Sequence, residues 1–359
     1  MFNVNFEGPE TEVICHSQYD SVVPKILEGL KPLNLKNHFV LFSSGTTGGD
    51  LKGYAISKEA LFNNARAVNE FFGLTQTDVS GLSLPVYHIG GLSVLARAHL
   101  LNYRVVDARN WEPNSWLKKT KDVTITTIVP TQLFDLVKMK AKPSPALRYL
   151  IVGGDLLSKG LKDEAMKLGW PVIRTFGMSE VCSQLASAKN PQSDELQILP
   201  IHHAKTDVDG RLLVKSSALF TLQFTLGSEL KIQMAKDLCD TDGFYKTSDK
   251  AEVLNGTIKH LGRLGDEFKI SGHLVNLLQL KNTLGTYLLE RDLYGQMEFQ
   301  IEEDERKGKK LVLLSLPEKN SPYILNEIAK LIHPVKIDEI RILQSFDRTS
   351  LGKLKKTQA

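Results

Sequence analysis

Apolar residues come in two rhythms along this chain, and the change between them sets out its architecture. From Phe39 to about Ala188, short apolar runs with little polar alternation recur at 39–43, 80–84, 103–107, 124–129, 148–152 and 171–175. Stretches with helical spacing separate them, such as 131–140 with Leu133, Leu136 and Val137. Strands without alternation are buried on both faces, and helices between them predict a parallel sheet covered on both sides. One helix is marked at both ends: Ser57 is a good N-cap, Leu61, Ala65, Val68 and Phe72 share one face, and Gly73 stops it. Ahead of the first strand, Val23, Ile26, Leu27 and Leu30 predict a short helix ending before Pro32.

The texture changes near Lys189. Asp209-Gly210, Asp242-Gly243 and Asn255-Gly256 punctuate short strand-like runs, which predicts hairpins in a β-rich subdomain over about 196–264. Past Gly265 a small α+β pattern follows: strand 268–271, helix 276–290, strands 296–302 and 311–316, helix 322–332 and strand 335–343. EEDERKGKK, 302–310, reads as a solvated hairpin tip. The division expected is a large N-terminal α/β part over 1–264, parallel to about 188, and a small C-terminal α+β domain over 265–359.

Bulk composition removes several function classes. With 45 basic and 41 acidic residues the net charge is only +4, too mild to argue for nucleic acid or an anionic membrane. Cys15, Cys182 and Cys239 are scattered and lack CxxC spacing, which points to a reducing cytoplasm rather than disulfides or zinc. The N-terminus shows no basic-then-apolar signal region, and the longest uncharged stretch, Val79 to Ala96, is broken by Pro85 and three glycines, so no membrane span is expected. A homo-oligomer is compatible with this composition.

Candidate chemistry begins at SSGTTGGDLKG, Ser43–Gly53, expected between a strand and the Ser57 helix. Glycines allow backbone N–H groups to turn toward an anion, hydroxyls add donors, and Lys52 adds a mobile positive charge. The Walker A spacing fails, because Gly45 is followed five residues on by Asp50. A flexible solvent loop is the plain alternative. The stretch resembles the phosphate loop of adenylate-forming enzymes, with one extra residue before Lys52 and Leu51 where that family usually has proline. The resemblance implies that Ser44, Gly45, Thr46, Thr47, Gly48 and Lys52 hold ATP phosphates.

Five further stretches fall in that family's order. LPVYHIGGLSVLARAHL, 84–100, resembles the acyl-pocket motif of o-succinylbenzoate–CoA ligases. It implies roles for His88 in substrate binding and catalysis, and for Gly91 and Arg97 in holding the acid; alone, His88 reads as a core residue and Arg97 as a surface helix charge. TFGMSEVCSQ, 175–184, resembles Y-G-M-T-E: Gly177 would let the backbone approach adenine, Ser179 stands for threonine, and Glu180 would hold Mg2+. One carboxylate suffices there, because magnesium keeps waters and takes phosphate oxygens. FYKTSDKAEV resembles Y-x-T-G-D, implying that Asp249 accepts the ribose hydroxyls, with Ser248 for glycine in a turn. HLGRLGDEFKISGH implies Arg263 on ribose or phosphate and a hinge at Gly265, with His273 in place of a glycine on the CoA side. FDRTSLGKLKK implies that Lys353 bridges α-phosphate and carboxylate, with Asp347 for proline.

The resemblance therefore implies an adenylate-forming α/β fold and an ATP-, Mg2+- and coenzyme A-dependent acid–thiol ligase, with a small-molecule carboxylate as substrate. Menaquinone biosynthesis is the pathway of the ligases it is nearest to. A catalytically silent nucleotide-binding relative, and an adenylating enzyme serving an acceptor other than CoA, remain open on the same residues.

Overall fold

The computed structural model describes residues 4–42, 51–227, 232–235, 237–270, 273–304, 308–317 and 321–346. Its largest sheet has eleven strands. Five of them, Val172–Met178, Tyr149–Val152, Ile125–Ile128, Val79–Leu82 and Arg104–Asp107, are adjacent in that order and all parallel. They are the runs predicted from unbroken hydrophobicity, and Leu82, Ile125, Ile128, Leu150, Ile151, Val152, Val172 and Ile173 are fully buried.

The hairpin-rich region continues this same sheet. The strand Val172–Met178 pairs in parallel with 149–152 through its first residues and antiparallel with Ser183–Ser187 through its last. From Ser183–Ser187 the order runs on through Leu196–Ile198, Thr257–Arg263, Tyr245–Leu254, Arg211–Ser216 and His202–Thr206, all antiparallel. The Asp-Gly and Asn-Gly pairs do make turns: Gly210, Gly243 and Gly256 have φ of +76°, +79° and +75°.

The first expected strand needs correction. His38–Phe42 does not join the parallel sheet; it belongs to a five-stranded sheet with Glu12–Val13, Leu51–Ser57, Leu222–Leu226 and Ile232–Met234. Its antiparallel partner is Leu51–Ser57, with Leu41 opposite Tyr54 and Phe42 opposite Gly53. The Ser43–Asp50 segment thus joins two strands of a small sheet instead of leading from a strand into a helix. All five residues of His38–Phe42 are buried because alternate side chains enter different cores: Phe39 and Leu41 pack with Tyr54 and Ile56, Val40 and Phe42 with Ala55 and Phe224.

The helix Lys58–Phe72 forms as expected. The Ser57 hydroxyl accepts the Ala60 N–H at 3.0 Å, and Gly73 ends the helix in the left-handed region at φ +59°. Beyond Gly265 a separate hydrophobic cluster gathers Phe268, Leu284, Leu288, Phe299, Leu311, Leu313 and Ile328. It lies among the helices Leu277–Leu289 and Pro322–Leu331 and the three-stranded sheet of Met297–Asp304, Gly308–Ser315 and Glu339–Ile342. A hairpin of Glu267–Ile270 with His273–Asn276 leads into it, adding a strand that the pattern did not predict. This part rests on the larger one through Tyr294 stacked on Phe134 at 4.8 Å and through Thr286 set against Gly160. Among the described residues no helix is long and apolar enough to cross a membrane.

Candidate functional site

Three elements converge on Glu180. The carboxylate sits in a short 3-10 turn, Ser179–Val181, directly after the strand Val172–Met178. Its Oε1 accepts the Tyr54 hydroxyl at 2.6 Å and the Tyr245 hydroxyl at 3.3 Å, and lies 3.7 Å from Lys52 Nζ. Lys52 and Tyr54 are two apart on Leu51–Ser57, so strand alternation puts both on one face, and the ammonium lies 5.1 Å from the Tyr54 ring centre. Phe220 meets both tyrosine rings edge-on, at 5.7 Å and 5.0 Å. Burial first, then the Glu180 charge, pushes both phenols far above the ordinary tyrosine range, so each stays a protonated donor at any working pH. A cavity of about 360 Å³ opens beside this group, with Phe220, Thr221, Cys239 and Tyr245 in its wall.

The backbone around Glu180 is tightly determined. Cys182 and Ser183 both have positive φ, +59° and +118°, two consecutive non-glycine residues in a costly region. At Gly177 a Cβ would stand 1.9 Å from the Ser183 carbonyl oxygen. The space that glycine leaves is therefore taken by the protein's own backbone, which requires glycine here whether or not adenine lies against it.

Asp249 and Arg263 face each other across the strands Tyr245–Leu254 and Thr257–Arg263. The Asp249 carboxylate takes His260 Nε2 at 2.9 Å, and Arg263 Nε is 4.0 Å away. His260 also stacks on Phe176, ring centres 4.6 Å apart. A register shift opposite Lys250 and Ala251, with Gly262 at φ +112°, re-phases the strand so that His260 and Arg263 both reach Asp249. Ser248 lies inside a strand, so the turn expected there is absent. Charge links this pair to the first group: Asp249 adds to the rise of the Tyr245 phenol, and Arg263 opposes that of Tyr54.

The acyl-pocket motif folds as a turn and the helix Ile89–Leu101, with His88 as its N-cap residue. The His88 carbonyl accepts the N–H groups of Gly91 and Leu92, both at 3.0 Å, and its ring lies 4.7 Å from that of Tyr87. Gly91 is required by packing, since a Cβ would lie 2.2 Å from the Pro85 carbonyl oxygen. Ser93, one turn before Arg97, meets the Ser183 hydroxyl at 3.2 Å, which ties this helix to the Glu180 segment. Arg97 is no surface charge: it is 2% exposed, and its Nε and Nη1 have no hydrogen-bond partner among the described residues. Burial holds its pKa below the usual arginine range.

Ser44, Gly45, Thr46, Thr47, Gly48, Asp347 and Lys353 lie outside the described residues, as does the side chain of His273. A model of the AMP-binding enzyme family matches residues 22–209, just over half of the chain. The chain belongs to the AMP-binding enzyme family. A 2-succinylbenzoate–CoA ligase of Staphylococcus epidermidis is 29% identical over 231 residues, covering 60% of this chain and 46% of the relative. A second, from Staphylococcus aureus, is 31% identical over 259 residues, covering 66% and 50%. The chain thus spans about half the length of the relatives it matches. Among solved structures, the O-succinylbenzoate coenzyme A synthetase of Bacillus subtilis in complex with ATP and magnesium ion aligns with a TM-score of 0.74 at 22% identity, over 88% of this chain and 68% of that one. ATP-bound MatB from Rhodopseudomonas palustris aligns with a TM-score of 0.72 at 20% identity, over 88% and 66%. The fold is that of the adenylate-forming enzymes.

Sequence reading of this AMP-binding family member missed Tyr54, Tyr245 and His260. Tyr54 carried a signal only if Leu51–Ser57 is known to be a strand, because its meaning lies in its spacing from Lys52. His260 carried none, because it reaches Asp249 through a bulge that simple alternation does not predict. Magnesium fits the arrangement at Glu180. Among the described residues no group of three or more His, Cys, Asp or Glu side chains forms a cage. Yet the carboxylate has an oxygen, Oε2, that none of its three side-chain contacts among the described residues uses. A single carboxylate completed by phosphate oxygens and water is an ordinary magnesium site.

Proposed function

We propose that this chain is an ATP-dependent acid–CoA ligase that activates o-succinylbenzoate or a close aromatic dicarboxylate. The observation that carries the ATP half is the convergence of Lys52 and Glu180 with the Asp249–Arg263 pair through Tyr54 and Tyr245. Arg97 supports the choice of acid, because a buried guanidinium whose Nε and Nη1 have no hydrogen-bond partner among the described residues is suited to a second carboxylate. The names of the relatives support it too.

In the first half-reaction a carboxylate oxygen of the acid attacks the α-phosphorus of ATP. The bond from phosphorus to the bridging oxygen breaks, and pyrophosphate leaves. In this reading Lys52 neutralises phosphate charge, Asp249 accepts from the ribose hydroxyls, and Glu180 would present one oxygen to magnesium. Bound magnesium would supply charge neutralisation of the phosphates. The protein contributes position and preorganised charge, with no covalent intermediate on a side chain. In the second half-reaction the CoA thiol sulfur adds to the acyl carbonyl, loses its proton, and AMP departs.

Pyrophosphate release with a panel of carboxylates, with and without CoA, tests the reading. Release that depends on an aromatic dicarboxylate, with thioester formed only when CoA is present, is expected. No release with any acid overturns it.

Turnover between the half-reactions requires a pivot, and Gly265 suits one. It has φ +93°, and a Cβ placed there would meet nothing within 4 Å, so backbone conformation alone demands glycine. Proline would force φ near about −65°. Gly265→Pro is expected to slow CoA thioester formation more than adenylation in single-turnover measurements. Equal slowing of both steps removes Gly265 from the role.

A further inference from the structure

We infer that Tyr54 is a positioning residue, which holds the Glu180 carboxylate in the orientation that binds the nucleotide's divalent cation. This rests on the proposed ATP reading and goes beyond it, because nothing in the resemblance assigns a role to this residue. Tyr54 is 1% exposed, and its hydroxyl makes the shortest contact that Glu180 has among the described residues, at 2.6 Å. Its ring is fixed independently: Phe220 meets it edge-on, and its own strand is paired on both sides, to Leu41 and to Gln223. The Phe220 N–H in turn bonds the Glu180 main-chain carbonyl at 3.0 Å. Glu180 is thus held at its backbone by the residue that also locks the tyrosine ring.

The geometry separates the two carboxylate oxygens. Tyr54, Tyr245 and Lys52 all approach Oε1. A carboxylate tied through one oxygen has lost its freedom to rotate, and its other oxygen is preoriented for a hard cation. Tyr245, at 3.3 Å, is the weaker restraint by distance, and Lys52, at 3.7 Å and 36% exposed, is needed for phosphate. Orientation therefore depends chiefly on Tyr54. The same ring lies beneath the Lys52 ammonium, so one side chain sets the spacing between the cation-binding carboxylate and the phosphate-binding lysine.

Tyr54→Phe tests this, because it removes the hydroxyl and keeps the ring that packs and carries Lys52. The probe is Mn2+ in the presence of ATP, with bound ion counted by electron paramagnetic resonance. ATP binding without metal is measured separately by calorimetry. Loss of such an outer partner weakens metal binding by about 10- to 100-fold. The variant is expected to need about tenfold more Mn2+ and to bind metal-free ATP as the parent does. In a Glu180→Ala background the same change should cost nothing further, since Tyr54 acts through that carboxylate. Unchanged Mn2+ affinity overturns the inference. So does an equal loss of metal-free ATP binding, or a further tenfold loss in the Glu180→Ala background. A parent protein that binds neither ATP nor Mn2+ overturns instead the ATP reading on which it rests.

Discussion

Replacing Lys353 by alanine is expected to lower the rate of acyl-adenylate formation by on the order of 10²- to 10³-fold, the usual cost of removing one preorganised donor from a developing charge. ATP affinity should change little. A lysine acting on the transition state contributes to rate more than to ground-state binding, and the ribose and metal contacts assigned to Asp249, Arg263 and Glu180 do not involve it. Single-turnover formation of acyl-AMP, set beside equilibrium ATP binding, separates the two effects. Equal rates in variant and parent would remove Lys353 from the reaction. A parallel collapse of ATP affinity would make it a nucleotide-binding residue. The comparison should be repeated at higher salt, because screening weakens a general attraction between a basic tail and ATP while leaving a specific contact.

How much could be read in advance depended on whether the signal was local. The helix Lys58–Phe72 was legible in full, because a serine cap, a spaced apolar face and a stop glycine lie within one stretch of chain. The four inner parallel strands were legible because burial on both faces removes polar alternation, and the edge strand Arg104–Asp107 by its Val105-Val106 pair. The strand Leu51–Ser57 was not. Lys52 and Gly53 interrupt its apolar run, and the reason for Gly53 lies far away: a Cβ there would stand 2.3 Å from the Phe224 ring. Missing that strand also hid Tyr54, whose proximity to Glu180 spans 126 positions in the chain.

The same limit applies to glycines read as ligand contacts. Gly177 and Gly91 both sit where a motif implies a site, yet each faces a backbone carbonyl of its own chain. A motif preserves the residue without saying which neighbour requires it. Conversely, the charged members Lys52, Glu180, Asp249 and Arg263 were legible as a set, and the structure brings them into one electrostatic neighbourhood. Their partners His260 and Tyr245 become visible only once the hairpin is built.

Arg97 divides stability from function most sharply, and its substitution by leucine should move the two in opposite directions. On the helix Ile89–Leu101 the residues Gly91 to Ala98 are all buried, so sequence offers no face on which a charge would be natural. A guanidinium in that place whose Nε and Nη1 find no partner among the described residues lacks much of the compensation that buried charges normally have. The effective penalty for such an ion is several kcal/mol. Arg97→Leu removes it and restores an apolar helix face, so the melting temperature should rise, by roughly 2–4 °C for each kcal/mol recovered. For the acid the same change removes a charge-assisted hydrogen bond of about 1.5–3 kcal/mol, equivalent to a KM raised about 10- to 150-fold. The rise should be confined to acids with a second carboxylate; benzoate-like monoacids should gain relative to it. Thermal melting and KM across the panel decide the matter together. A variant that melts lower and keeps its KM would show that Arg97 is compensated within the protein and has no part in choosing the substrate.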